Sequence, residues 1–75
     1  MTWDNLYRHY IGKNVLNIFR QDNGYKEGSY KKIWLGREDN VHLLEIILDL
    51  DSSDKDFREM IYHNLSKRYR AINSF

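Results

Sequence analysis

Apolar residues recur every three or four positions through the opening of the chain: Trp3, Leu6, Tyr7, Tyr10, Ile11, Val15, Ile18 and Phe19. That period is helical, and Thr2 stands where an N-cap hydroxyl would serve the first free N–H groups. The pattern predicts a helix from about Trp3 to Asp22. Asn23-Gly24 closes it, because glycine takes the left-handed position after a helix without a Cβ penalty. The period then disappears. Residues 24–36 (GYKEGSYKKIWLG) hold three glycines and read as a loop or short extended segment. Periodicity returns at Val41, Leu44, Ile47 and Leu48, which predicts a second helix over about 41–50, capped by Asp39 or Asn40. Ser53 with Asp56 resembles a capping box for a third helix over about 54–71. Its stripe is Phe57, Met60, Ile61, Leu65, Arg68/Tyr69 and Ile72. The expected fold is all-α: three helices, with a long glycine-punctuated loop between the first and second.

Composition sharpens this picture. The 75 residues make one domain, or a fragment of a larger one, and include neither proline nor cysteine. Without proline the helices run uninterrupted. Without cysteine there is no disulfide framework, zinc finger or thiol nucleophile, which fits a reducing, cytoplasmic setting. No apolar run approaches a membrane span. The net charge of +1 conceals a segregation: residues 1–37 carry +4, residues 38–59 carry −6, and the remainder carries +3. A basic first half suits an anion. The acidic middle opposes a long polyanion, so a compact nucleotide is favoured over nucleic acid.

Three groups of residues offer chemistry. Lys13, Asn17 and Arg20, spaced by four and three, share one face of the first helix. Two cations flanking an amide suit a polyphosphate beside a polar group, the arginine forking onto phosphate while the lysine supplies a point charge. A plain solvated face has the same composition. In the loop, Tyr25, Tyr30 and Trp34 interleave with Lys26, Lys31 and Lys32; an extended 30–34 would put Tyr30, Lys32 and Trp34 on one side. Trp34 reads as a core plug, whereas Tyr25 and Lys32 read as ligand contacts. Aromatic rings among lysines also suit single-stranded nucleic acid.

The third group, Asp49, Asp51, Asp54 and Asp56, fails as a calcium loop. An EF-hand needs glycine at its sixth position and glutamate at its twelfth, where this chain has Asp54 and Met60. His9, His42 and His63 lack zinc spacing. Glu45 and Asp49 lie one turn apart and read as a solvated face rather than a metal pair. No catalytic residue and no metal ligand is assigned.

The run from Lys13 through Asn17, Phe19, Arg20 and Gln21, then Gly24-Tyr25-x-x-Gly28-x-Tyr30, then Lys32-x-Trp34-x-Gly36-x-Glu38-Asp39-Asn40, resembles one family. It is similar to the last sequence block of the dimeric all-α dUTP diphosphatases, within the MazG-like pyrophosphohydrolases. The likeness extends from about Leu6 to Leu44, roughly half of the chain. In that family the block is the C-terminal part of a longer helical bundle. The resemblance implies that Lys13, Arg20, Tyr25 and Lys32 hold nucleotide phosphates and that Asn17 lies near the deoxyribose. It also implies cleavage of dUTP to dUMP and diphosphate by a complete enzyme using Mg²⁺. The Glu-x-x-Glu and Glu-x-x-Asp helices that would hold the metal are absent here.

The chain is therefore expected to be the phosphate-binding C-terminal portion of a dUTP diphosphatase, inactive alone and binding no cofactor itself. It should take dUTP or dUDP weakly and self-associate through apolar faces. The alternatives are a free-standing module for nucleotides or single-stranded nucleic acid, and a self-associating interaction domain.

Overall fold

The computed structural model describes residues 3–73, so the expected cap Thr2 lies outside the described residues. Its elements are α1 (Trp3–Asp22), β1 (Ile33–Trp34), β2 (Arg37–Glu38), α2 (Asp39–Asp49) and α3 (Phe57–Asn73). The all-α class holds, with the two short strands as its one embellishment. The helices run up, down and up. Arg8, early in α1, donates to the carbonyls of Ile47 and Leu50 at the end of α2, while Arg20, late in α1, meets Asp39 at its start. Tyr7 stacks on Phe57 at 6.0 Å and Phe19 meets Tyr69 edge-on at 5.5 Å, so α1 and α3 run parallel. Gly12 lets α1 approach α2: a Cβ there would lie 3.3 Å from Ile47 Cγ2.

Helix α1 follows the periodic pattern and stops where glycine permits. Gly24 sits at φ 91°, Tyr25 N–H donates to Arg20 O at 3.0 Å, and Gly24 N–H donates to Gln21 O. These paired bonds are a Schellman closure, which gives the last-turn carbonyls of Arg20 and Gln21 donors from beyond the helix. The core then forms from Ile11, Val15, Leu16 and Phe19 of α1, Leu43, Ile46 and Ile47 of α2, and Phe57, Ile61, Leu65 and Tyr69 of α3. Trp34 plugs it as expected, fully buried, its indole N–H donating to Lys31 O at 2.7 Å.

The loop takes a definite form, and four local expectations are corrected. The loop contains an antiparallel hairpin, Ile33 opposite Glu38 and Trp34 opposite Arg37, turning through Leu35 and Gly36 at φ 54° and 80°. Two successive positive φ values are the geometry of a tight hairpin turn. Residues 29–32 form no strand, so Tyr30, Lys32 and Trp34 do not share a side: Lys32 is exposed and Trp34 buried. Asp39 and Asn40 do not cap α2. They are its first two residues, and Glu38 in the N-cap position makes no side-chain cap bond. The buried face of α2 is Asp39, His42, Leu43, Ile46 and Ile47, leaving Val41, Leu44 and Leu48 exposed. Helix α3 starts at Phe57, because Asp51 and Asp54 first accept bonds from the backbone N–H groups of Ser53 and Asp56 and close two turns.

Candidate functional site

Arg20 lies in the last turn of α1, within the segment whose carbonyls the Schellman bonds bind. Its guanidinium reaches across to α2, donating from Nε to Asp39 Oδ2 at 2.9 Å and from Nη2 to Asp39 Oδ1 at 3.0 Å. The Tyr30 hydroxyl donates to the same Oδ2 at 2.7 Å. Asp39 is fully buried. Burial alone would raise its pKa, but the Arg20 and Tyr30 hydrogen bonds and the Asn40 N–H outweigh it and hold the carboxyl below its ordinary value. The Tyr30 phenol is pushed up, first by burial and then by the adjacent carboxylate. Arg20 is raised by the same carboxylate.

The loop folds back onto this pair. The Tyr25 ring lies 6.0 Å from Arg20 Cζ, within cation–π range, and 6.2 Å from the Tyr30 ring. Asp39 N–H donates to Lys32 O at 2.9 Å, so the main chain of Lys32 is tied to the residue that clamps Arg20. The loop is also fastened to α3, where Tyr69 Oη accepts from Lys31 N–H at 3.1 Å and the Tyr30 and Tyr69 rings stack at 5.4 Å.

Of the four expected phosphate contacts, Arg20 and Tyr25 meet beside Asp39, while Lys32 is tied to it only through its main-chain carbonyl. The Lys32 side chain is exposed. Lys13 and Asn17 are exposed on the α1 face, with Lys13 two turns from Arg20, about 10 Å along the axis. Lys13 lies apart from the group: with Asn40 and His9 it rims an open depression of about 240 Å³ floored by Leu43, Leu44 and Ile47, which none of Arg20, Tyr25, Lys32 and Asp39 lines. One expectation changes. The Nε–Nη2 fork of Arg20 is occupied by Asp39, which leaves the N–H groups of Nη1 and the outer one of Nη2 for a ligand.

Asp39, Tyr30 and Asn40 were not singled out as site residues from the sequence. Asp39 and Asn40 read locally as caps, and their partners lie far back in the chain. The signal available was their position at the end of the block that resembles the dUTP diphosphatases.

The residues present do not fit a metal ion. Among the described residues no group of three His, Cys, Asp or Glu side chains could hold one. Glu45 accepts from both Arg37 and Arg68, with Arg68 first among the causes that keep its carboxyl below the ordinary value. His42 is buried with both ring nitrogens used: Nε2 donates to Trp34 O at 2.8 Å and Nδ1 accepts from Arg68 at 2.9 Å. No hydrolytic step is assigned to this chain. Set against known proteins, it matches no family model, no curated protein and no solved structure.

Proposed function

We propose that this chain is the phosphate-binding C-terminal portion of a dUTP diphosphatase of the dimeric all-α class, taking the di- or triphosphate tail of dUDP or dUTP. The observation that carries the reading is the meeting of Arg20, Tyr25 and the Lys32 main chain around Asp39, on the helix face that also presents Asn17 and Lys13. These residues bind and orient an anion. Lys13 supplies a mobile charge, Arg20 a fixed one, and the Asn17 amide a polar contact beside them. Mg²⁺ and the attack by water belong to the complete enzyme in this reading.

Titrating pyrophosphate and dUDP into ¹⁵N-labelled protein should move amides of residues 13–32 first, with a Kd on the order of millimolar, about −4 kcal/mol. Arg20→Ala should weaken the response. Shifts confined to α3, or a response unchanged in Arg20→Ala, would place the site elsewhere. With Mg²⁺ and dUTP the chain should release no diphosphate above a no-protein control; release abolished by EDTA would overturn that part. A single-stranded oligonucleotide reading predicts instead affinity that grows with strand length.

The exposed apolar residues favour one further property, association with a second copy. Trp3, Leu6 and Tyr10 of α1 and Leu44 and Leu48 of α2 are all exposed.

A further inference from the structure

We infer that Asp39, pinned by Tyr30, is a positioning residue that holds Arg20 with its remaining N–H groups, those of Nη1 and the outer one of Nη2, left for an incoming phosphate. The inference rests on the polyphosphate reading above and goes beyond it by naming residues that touch no ligand. A buried carboxylate beside an anion site is costly for binding on Coulomb grounds alone, since it cancels the arginine's charge and repels phosphate. Its geometry supplies the compensating role. The two-point fork, 2.9 and 3.0 Å, fixes the guanidinium plane. The Tyr30 hydroxyl, 2.7 Å from Oδ2, fixes the carboxylate in turn. Tyr25 covers one side of the guanidinium at 6.0 Å. Nε and the inner N–H of Nη2 are committed, while Nη1 and the outer N–H of Nη2 lie outside the fork, on a side chain that keeps 18% of its surface exposed.

Asp39 also ties down the rest of the site. Its backbone N–H holds the Lys32 carbonyl at 2.9 Å, and its neighbour Asn40 stands beside Lys13 at the depression. An arginine ordered before the ligand arrives loses less rotamer freedom on binding.

The sign of the effect separates positioning from mere structure. Removing the negative charge in Asp39→Asn should tighten anion binding if only charge matters. If Asp39 positions Arg20, binding of pyrophosphate should weaken about tenfold, the scale of the freedom regained by a long side chain. Tyr30→Phe changes no charge and keeps the ring; it should weaken binding about two- to threefold, a few tenths of that effect on a logarithmic scale. The Arg20 Nε–Hε resonance, which reads side-chain order directly, should be sharp and protected in the parent protein and broadened in both variants. Melting curves establish that each variant is folded; if Asp39→Asn is not, Tyr30→Phe decides by the same two readouts. If Arg20→Ala abolishes binding while Asp39→Asn and Tyr30→Phe bind as well or better, the positioning role is wrong and the phosphate reading stands. If the parent protein does not bind pyrophosphate at all, both are wrong.

Discussion

Asp39 is also where a single side chain matters most to the fold. Deleting one partner of a buried ion pair typically costs about 3–5 kcal/mol, because the other charge is left uncompensated. Native domains hold only about 5–15 kcal/mol in all, so Asp39→Ala should lower the urea midpoint by a large fraction of its parent value. The pH dependence follows from the lowered carboxyl. Its folded pKa lies below the ordinary 3.8, so the unfolded chain takes up the proton first. The pair contributes fully above that ordinary value and is lost as pH falls through the folded one. The urea midpoint of the parent protein should therefore fall as pH drops below about 4; a midpoint level down to about pH 2 would count against it. Sequence reasoning placed Arg20 in the last turn of α1 and Trp34 in the core, because helical spacing and a lone indole in a polar loop are local signals. It misread Asp39, whose Arg20 partner is 19 residues away. A cap and a buried ion-pair member look alike until the chain is folded.

Among the elements, α1 could be read to its last residue, since a clean period ends at a glycine that the turn requires. The hairpin could not, because its turn uses Leu35 at φ 54°. Left-handed backbone costs a branched side chain roughly 1–2 kcal/mol, and Leu35 is 72% exposed, with little burial to offset it. Leu35→Asn should therefore raise stability by about 0.5–1 kcal/mol, since asparagine tolerates this conformation and Asn-Gly suits the turn. In a domain of this size that is roughly 2–8 °C in Tm. Unchanged or lowered Tm would show that the leucine makes contacts that matter more than its strain. The buried face of α2 was also misjudged. Its apolar residues surround the helix, so period alone did not choose between Leu43 with Ile46 and Leu44 with Leu48.

For the whole molecule, the up-down-up order sorts the charges along a body 36 Å long and 22 Å across. Asp4 and the acids from Asp49 to Asp56 gather at the end where α1 begins, with Ser52 bonded to Asp4. The loop lysines and the end of α3 gather at the other, joined by the Lys31–Tyr69 bond. Under the proposed function, this arrangement would draw an anion to one end and repel a long strand at the other. The apolar residues left on α1 and α2 lie on the outer side of the same two helices. Sedimentation at micromolar concentration should give a dimer or larger species. A Leu44→Glu, Leu48→Glu double variant should shift it to monomer, and a clean monomer in the parent protein would refute the association.

Tyr69 imposes an order of events on the newly made chain. Its hydroxyl receives the N–H of Lys31, 38 residues earlier, and its ring stands within 5.4–5.5 Å of Phe19, Tyr30 and Trp34. During synthesis the loop therefore leaves the ribosome long before the helix that fastens it. Contacts so distant in sequence form late, because the loop between them must close first. In refolding of a Trp3→Phe protein, Trp34 fluorescence should mature together with the helical signal of α3 and not ahead of it. Tyr69→Ala should slow that step, whereas early burial of Trp34 would mean that the hairpin finds its place unaided. The last helix, which carries none of the proposed phosphate contacts, thus decides when the loop that carries two of them exists.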